Sequence, residues 1–225
     1  MFSILPYKNA FVIIIKQTER KKTVIYPLFR NFMLLLWAII FGQRQKMQTI
    51  ELHGKKFVTS IPRTKIEHEV KRVANEINND YKGKHPLLLG VLNGAFMFAA
   101  DLMRNLDIEC EISFVKMSSY QGTSTTGAVR EVIGVNESLE GRDIIVIEDI
   151  VDTGLTMQRI LEQLSAHKPA SINIASLFLK PARLKAPIDV KYSAFTIPDR
   201  FIVGYGLDYD GLGRNLPDIY DAAEE

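Results

Sequence analysis

Apolar positions recur along this chain in two rhythms. Ile66, Val70, Val73 and Ile77 fall on one helical face, and their spacing predicts a helix that ends near Asn79 and Gly83. Thr64 and Glu67 carry the Thr-x-x-Glu pattern of a capping box, which places the helix N-cap at Thr64. A second helix is predicted over residues 96–106. A third follows Thr156, with Met157, Ile160, Leu161 and Leu164 on one face and an end near His167. Apolar runs at 86–92 and 144–147 read as buried parallel strands, and 171–179, closed by Lys180-Pro181, reads as another strand. Residues 109–117 alternate as a strand, 131–135, 190–197 and 201–204 read as further strands, and 52–58 reads as a hairpin-like lead-in. Strands alternating with helices predict an α/β fold. Its core is a mostly parallel, twisted sheet flanked by helices, with ligands at the carboxyl ends of the strands.

The first 46 residues break this rhythm. They contain apolar runs at 11–15 and 32–41 with basic residues between them. Ten uninterrupted apolar residues are too few for a bilayer span, which takes roughly 20. The run also lies too far from the start for a signal peptide, and no small-residue cleavage site follows it. Charge changes at the same place. Residues 1–46 hold eight Lys/Arg against Glu19 alone, a net +7, whereas residues 47–225 hold 20 basic against 25 acidic, a net −5. We therefore expect a domain at 47–225 and a non-core extension at 1–46. The extension is read first as an upstream region translated from a misassigned start, and second as a weak membrane-associating tail.

The acidic balance of 47–225 argues against a general nucleic-acid surface. Cys110 is the single cysteine, which excludes an internal disulfide and suits a reducing cytoplasm. Its setting between Glu109 and Glu111 supplies no base or metal partner, so it reads as a strand thiol rather than a nucleophile. His53, His68, His85 and His167 lack metal-ligand spacing and are expected at the surface.

The chemistry concentrates at residues 144–157. The apolar run leads directly into two carboxylates, Glu148 and Asp149, then into the turn Asp152-Thr153-Gly154-Leu155-Thr156 and a helix. Amides at such a junction point outward at the positive end of the helix dipole and favour a phosphate. Gly154 lets the backbone approach the anion closely, and Thr153 and Thr156 add hydroxyl donors. Carboxylates repel phosphate, so three of them beside the cradle call for sugar hydroxyls, a divalent metal or a proton to be removed.

This stretch resembles the phosphoribosyl pyrophosphate signature of type I phosphoribosyltransferases, and Glu148–Gly154 looks like their hypoxanthine-guanine branch. The resemblance covers nearly all of 47–225 and none of 1–46. It implies a core parallel sheet with a small hood from segments near the two ends. It also implies a purine-salvage enzyme that joins a 6-oxopurine to ribose 5-phosphate and expels pyrophosphate. Other readings of the same fold are a phosphoribosyltransferase for xanthine or a pyrimidine, and a non-enzymatic RNA-binding regulator. The family's members pair or form tetramers, use Mg²⁺, and imply a cytoplasmic protein without a membrane span.

Further residues carry over from the resemblance. The turn Leu92-Asn93-Gly94 matches the family's pyrophosphate-binding turn, which often contains a non-proline cis peptide. Asn93 stands where other members have a basic residue, which shifts charge neutralisation toward Mg²⁺. Ser119-Tyr120 matches the head of the catalytic loop, and the polar segment 118–130 reads as a mobile lid. Lys180 is a donor for a keto oxygen, Phe201 a stacking face, and Ile202 and Asp208 read the base edge through their backbone. Arg214 matches a pyrophosphate-contacting arginine. Asp208, Glu148 and Asp149 are the candidate Mg²⁺ ligands. Glu148 and Asp149 also face the ribose hydroxyls, Thr153 to Thr156 hold the 5′-phosphate, and Asp152 is the candidate general base.

Overall fold

The structure is a computed structural model that describes residues 2–7, 10–15, 48–118, 130–133 and 138–223. The lid segment therefore lies almost wholly outside the described residues, as do Ser119 and Tyr120. Contacts divide the chain into two units, 1–46 and 47–225. In the first, β1 (Phe2–Tyr7) and β2 (Ala10–Ile15) pair antiparallel, Phe2 opposite Ile15 and Tyr7 opposite Ala10.

The second unit opens with a hairpin, β3 (Thr49–Leu52) and β4 (Lys55–Ile61). Its two-residue loop, His53-Gly54, takes positive φ at both positions (48° and 75°), the combination whose twist matches paired strands. Next come helix α1 (Arg63–Asp80), strand β5 (Leu87–Leu92), helix α2 (Phe96–Arg104), and strands β6 (Glu111–Ser118) and β7 (Arg130–Ile133). Strand β8 (Asp143–Val151), helix α3 (Leu155–Ser165), and strands β9 (Ser171–Leu179) and β10 (Tyr192–Thr196) complete the main layer. Six strands form one sheet in the order β10-β9-β8-β5-β6-β7, parallel throughout except for the antiparallel edge strand β7.

The uninterrupted apolar runs have a direct structural cause. Side chains alternate across a strand, and helices cover both faces of this sheet. Leu88, Ile145, Ile147 and Leu177 join the core under α1 and α2, with Val70, Val73, Phe98 and Leu102. Their neighbours Leu87, Leu89, Ile144 and Val146 join the core under α3, with Met157, Ile160 and Leu164. Both alternate sets must then be apolar, and they are. The expected α/β architecture is present.

A smaller antiparallel sheet forms the hood, in the order β11-β12-β4-β3, from β11 (Ile202–Val203), β12 (Ile219–Ala222) and the opening hairpin. Phe57, Val203 and Tyr220 make its own core. Among the described residues no helix is long and apolar enough to cross a membrane. The four histidines are exposed, as expected. Cys110 lies one residue before β6, and burial pushes its thiol up, away from the reactive thiolate.

Two local expectations are corrected. The capping box does not form. Pro62 occupies the N-cap of α1 in extended conformation without a side-chain cap, and Thr64 lies inside the helix. Asp218, from just before β12, instead accepts the Arg63 amide at 2.7 Å, and Glu67 pairs with Arg63 at 2.6 Å. A tertiary carboxylate at the positive end of the helix has displaced the local motif. Asp218→Ala should therefore lower stability by about 1 kcal/mol, read as a shift in the denaturant midpoint. Thr64→Ala should leave that midpoint within experimental error. The second correction concerns the acids of the central strand. They do not follow it: β8 runs on to Val151 and includes Glu148 and Asp149, with Glu148 opposite Ser176 and Val151 opposite Leu179.

Candidate active site

Three segments meet at the carboxyl ends of β5 and β8. They line a cavity of about 320 Å³ with Val91, Leu92, Asn93 and Gly94, with residues 148–154, Thr156 and Met157, and with Asp208 and Arg214. Of the predicted phosphate, ribose and pyrophosphate residues, only Leu155 is missing from this lining. Its side chain points to solvent, 45% exposed.

The turn at 152–154 leads from β8 directly into α3. Gly154 is the N-cap of α3 with φ 75°, a left-handed conformation that disfavours a side chain. Leu184 and Ile188 pack against it so closely that a Cβ there would meet Ile188 Cδ1 at 2.9 Å. The first amides of α3 have no intrahelical acceptor by geometry, and Gly154, Thr156 and Met157 at this positive end of the helix line the cavity. The Leu155 amide reaches only Thr153 Oγ1, at 3.5 Å.

The second segment is the turn after β5, and it contains a cis peptide between Leu92 and Asn93. Gly94 is pressed from two sides. A Cβ on it would fall on the Asp149 carboxylate, and a Cβ on Gly206 (φ 100°) would fall on the Gly94 carbonyl. Two glycines thus let the turn, β8 and the loop after β11 close on one point. Gly94→Ala should displace Asp149. We expect a loss of about 1–3 kcal/mol from overpacking, measured by thermal unfolding, together with loss of turnover.

The third segment is held by Arg214. Its Nη1 donates to the Gly206 carbonyl at 2.6 Å, its Nη2 pairs with Asp208 Oδ1 at 2.5 Å, and its own carbonyl accepts the Gly206 amide at 3.0 Å. Asp208 Oδ2 accepts the Gly211 amide at 2.7 Å. Asp208 is therefore already engaged by a cation in this structure.

The carboxylates of β8 behave differently. Asp149 Oδ1 accepts the amide of Ile150 at 2.8 Å. Burial first, and the charge of Asp149 second, hold the Glu148 carboxyl well above the usual carboxylate range. Such a pair is short of positive charge. Among the described residues no three carboxylate, histidine or cysteine side chains gather as a ready-made metal cage. Mg²⁺ that arrives with substrate phosphates needs only one or two protein carboxylates, so Glu148 and Asp149 fit that ion. Asp208, with one contact on each oxygen, keeps lone pairs with which it could join them.

Lys180, Phe201 and Ile202 are not among the residues that line the cavity. Lys180 follows β9, is 6% exposed, and donates its amide to Val151 O at 3.0 Å. Phe201 is 48% exposed and packs edge-on against Tyr209, with ring centroids 5.6 Å apart. Lys55 of the hood lies over the same ring at 5.6 Å. Ile202 is buried in β11.

Sequence reasoning missed Arg183 and Asp199. Arg183 ends the 3-10 turn Pro181–Arg183, and its Nε donates to Asp152 Oδ1 at 2.7 Å. Its Nη1 donates to Asp199 Oδ2 at 2.9 Å, and Asp199 Oδ1 accepts from Lys180 Nζ at 3.2 Å. Both residues lie within three positions of predicted site residues, but nothing in their spacing shows that they meet.

A parallel sheet that carries a helix N-terminus with a positive-φ glycine and adjacent carboxylates at its strand ends defines a site with the chemistry to take a phosphorylated sugar. Comparison with known proteins makes the class specific. The phosphoribosyl transferase domain family matches residues 59–210, and the chain belongs to that family. A hypoxanthine-guanine phosphoribosyltransferase of Streptococcus pyogenes is 42% identical over 161 residues, covering 71% of this chain and 89% of the relative. One from Staphylococcus aureus is 43% identical, covering 68% and 87%. A crystal structure of the hypoxanthine-guanine phosphoribosyltransferase of Bacillus anthracis superposes with a TM-score of 0.69 at 38% identity, over 73% of this chain and 98% of that one.

Proposed function

We propose that this chain is a purine-salvage enzyme that transfers the 5-phosphoribosyl group of phosphoribosyl pyrophosphate to hypoxanthine and guanine, giving IMP or GMP and pyrophosphate. The observation that supports it most is the meeting of the Asn93 turn, the Glu148-Asp149 pair, the Asp152–Thr156 loop and Arg214 around one cavity. Its test is pyrophosphate release with hypoxanthine or guanine, phosphoribosyl pyrophosphate and Mg²⁺, in the absence of RNA. No release from any purine would overturn it.

In this reading the α3 amides, Thr153 and Thr156 hold the 5′-phosphate and so fix the anomeric carbon. Asn93, Gly94 and Arg214 take the pyrophosphate. The bond from the anomeric carbon to pyrophosphate breaks ahead of strong attack, positive charge grows on the ribose, and the negative field of Glu148 and Asp149 favours that charge. A purine ring nitrogen forms the new bond, and its proton passes to Asp152. Lys180 donates to the keto oxygen, Phe201 offers a ring face, and backbone near Ile202 and Asp208 reads the base edge. Glu148, Asp149 and Asp208 would hold Mg²⁺, which would supply positive charge to the leaving pyrophosphate. Ser119 and Tyr120 keep their proposed place in a loop that excludes water from the reacting centre.

The same reading implies a cytoplasmic homodimer or homotetramer, and it assigns the activity to 47–225. A chain begun at Met47 should fold and turn over at the rate of the full chain, because every residue of the proposed site lies after it. Comparison of melting temperature and activity for the two chains checks this. Loss of folding in the shorter one would make residues 1–46 part of the core.

A further inference from the structure

The bridge through Arg183 and Asp199 joins two groups that the proposed reaction uses at opposite ends of the purine. Lys180 meets the keto oxygen, and Asp152 meets the ring nitrogen that attacks. The side chains run Asp152, Arg183, Asp199, Lys180, with contacts of 2.7, 2.9 and 3.2 Å. We propose that Arg183 and Asp199 are positioning residues that hold the purine donor and the proton acceptor in one fixed geometry. This rests on the proposed function.

Several observations carry the inference. Each contact leaves free what the reaction needs. Lys180 Nζ gives one of three donors to Asp199, and among the described residues Asp152 Oδ2 has no partner while Oδ1 faces Arg183. The arrangement can therefore aim both groups without occupying them. Arg183 also suits a bridge. Its planar fork directs Nε to one carboxylate and Nη1 to another, which a lysine cannot do with one ammonium. Its backbone is pinned as well. The Arg183 amide donates to Lys180 O at 3.0 Å, and the next residues dock on the phosphate loop, Lys185 donating to Thr153 O at 2.9 Å. The guanidinium is thus tied to the lysine's strand end and to the loop that carries Asp152.

A stabilising role is the competing account, and it is a weak one. The Arg183 and Asp199 side chains are 42% and 52% exposed, and ion pairs so placed contribute little to folding. Lys180, at 8% side-chain exposure, is the member that needs external orientation. Its ammonium, at the end of a flexible four-carbon stem, is directed by the Asp199 carboxylate at 3.2 Å.

The test is steady-state kinetics of the full chain with both substrates varied, for Asp199→Asn, Arg183→Gln, Arg183→Lys and the double variant Asp199→Asn/Arg183→Gln. Asp199→Asn should raise the KM for hypoxanthine about 10-fold and leave that for phosphoribosyl pyrophosphate unchanged, because its one remaining acceptor oxygen can serve the closer Arg183 contact while the lysine loses its carboxylate. Arg183→Gln should lower kcat about 10-fold, because Asp152 loses its aim. Arg183→Lys should recover little, since charge without the fork cannot serve both acids. The double variant should lose less than the product of the single losses, as members of one network do. Melting temperatures should stay close to that of the unaltered protein. Unaltered kinetics in both single variants, equal KM increases for the two substrates, full activity in Arg183→Lys, or multiplicative losses would each overturn the inference. Absence of pyrophosphate release in the unaltered protein would instead remove the function on which it rests.

Discussion

Asp152→Asn should lower turnover by roughly 10²- to 10⁴-fold, the range for a positioned proton acceptor. The substitution is close to isosteric and separates position from chemistry. The amide oxygen can still accept from Arg183 Nε, which now stands 2.7 Å from Asp152 Oδ1, so the loop keeps its anchor. What is lost is the second oxygen's ability to take a proton from the attacking ring nitrogen. Binding of phosphoribosyl pyrophosphate should hold steady, because the proposed function assigns the phosphate to the amides of α3 and to Thr153 and Thr156 rather than to this carboxylate. Steady-state turnover and calorimetric binding of the sugar substrate make the comparison. Near-normal turnover would remove Asp152 from the role, and a parallel loss of sugar binding would make it a structural residue of the loop.

The order of elements and the position of the cradle were legible because each has a local cause. Apolar runs at 86–92 and 144–147 are strands with helices on both faces, where both alternate side-chain sets must be apolar. The cradle was legible because Gly154 must adopt positive φ at a helix start, a demand that shows in one letter. The failures share the opposite property. Thr64 and Glu67 matched a local cap, but Asp218, 155 residues from Arg63, satisfies that helix end. Spacing cannot show a partner brought in by a distant strand. The end of β8 was misjudged for a similar reason. Polar Glu148 and Asp149 look like a strand end, yet the backbone pairing to β9 continues because the side chains open onto a cavity rather than a core. Arg183 and Asp199 carried no signal because an ion pair between exposed residues leaves no periodicity.

Lys180→Ala should carry the other large effect. Among the described residues Lys180 is the one buried cation, and its loss would remove the proposed charged donor to the purine keto oxygen, about 1.5–3 kcal/mol. That corresponds to a roughly 10- to 150-fold rise in the KM for hypoxanthine. The KM for phosphoribosyl pyrophosphate should change little, since the lysine touches the cavity only through its amide bond to Val151 O. No acid is orphaned by the change, because Asp199 keeps Arg183 at 2.9 Å. Truncation also removes a buried four-carbon stem, and the void alone would lower stability. Lys180→Met separates the two effects, keeping most of the packing and discarding the charge. It should reproduce the purine defect with a smaller fall in melting temperature than Lys180→Ala. Equal weakening of both substrates in the methionine variant would show that Lys180 serves the fold or the phosphate rather than the base.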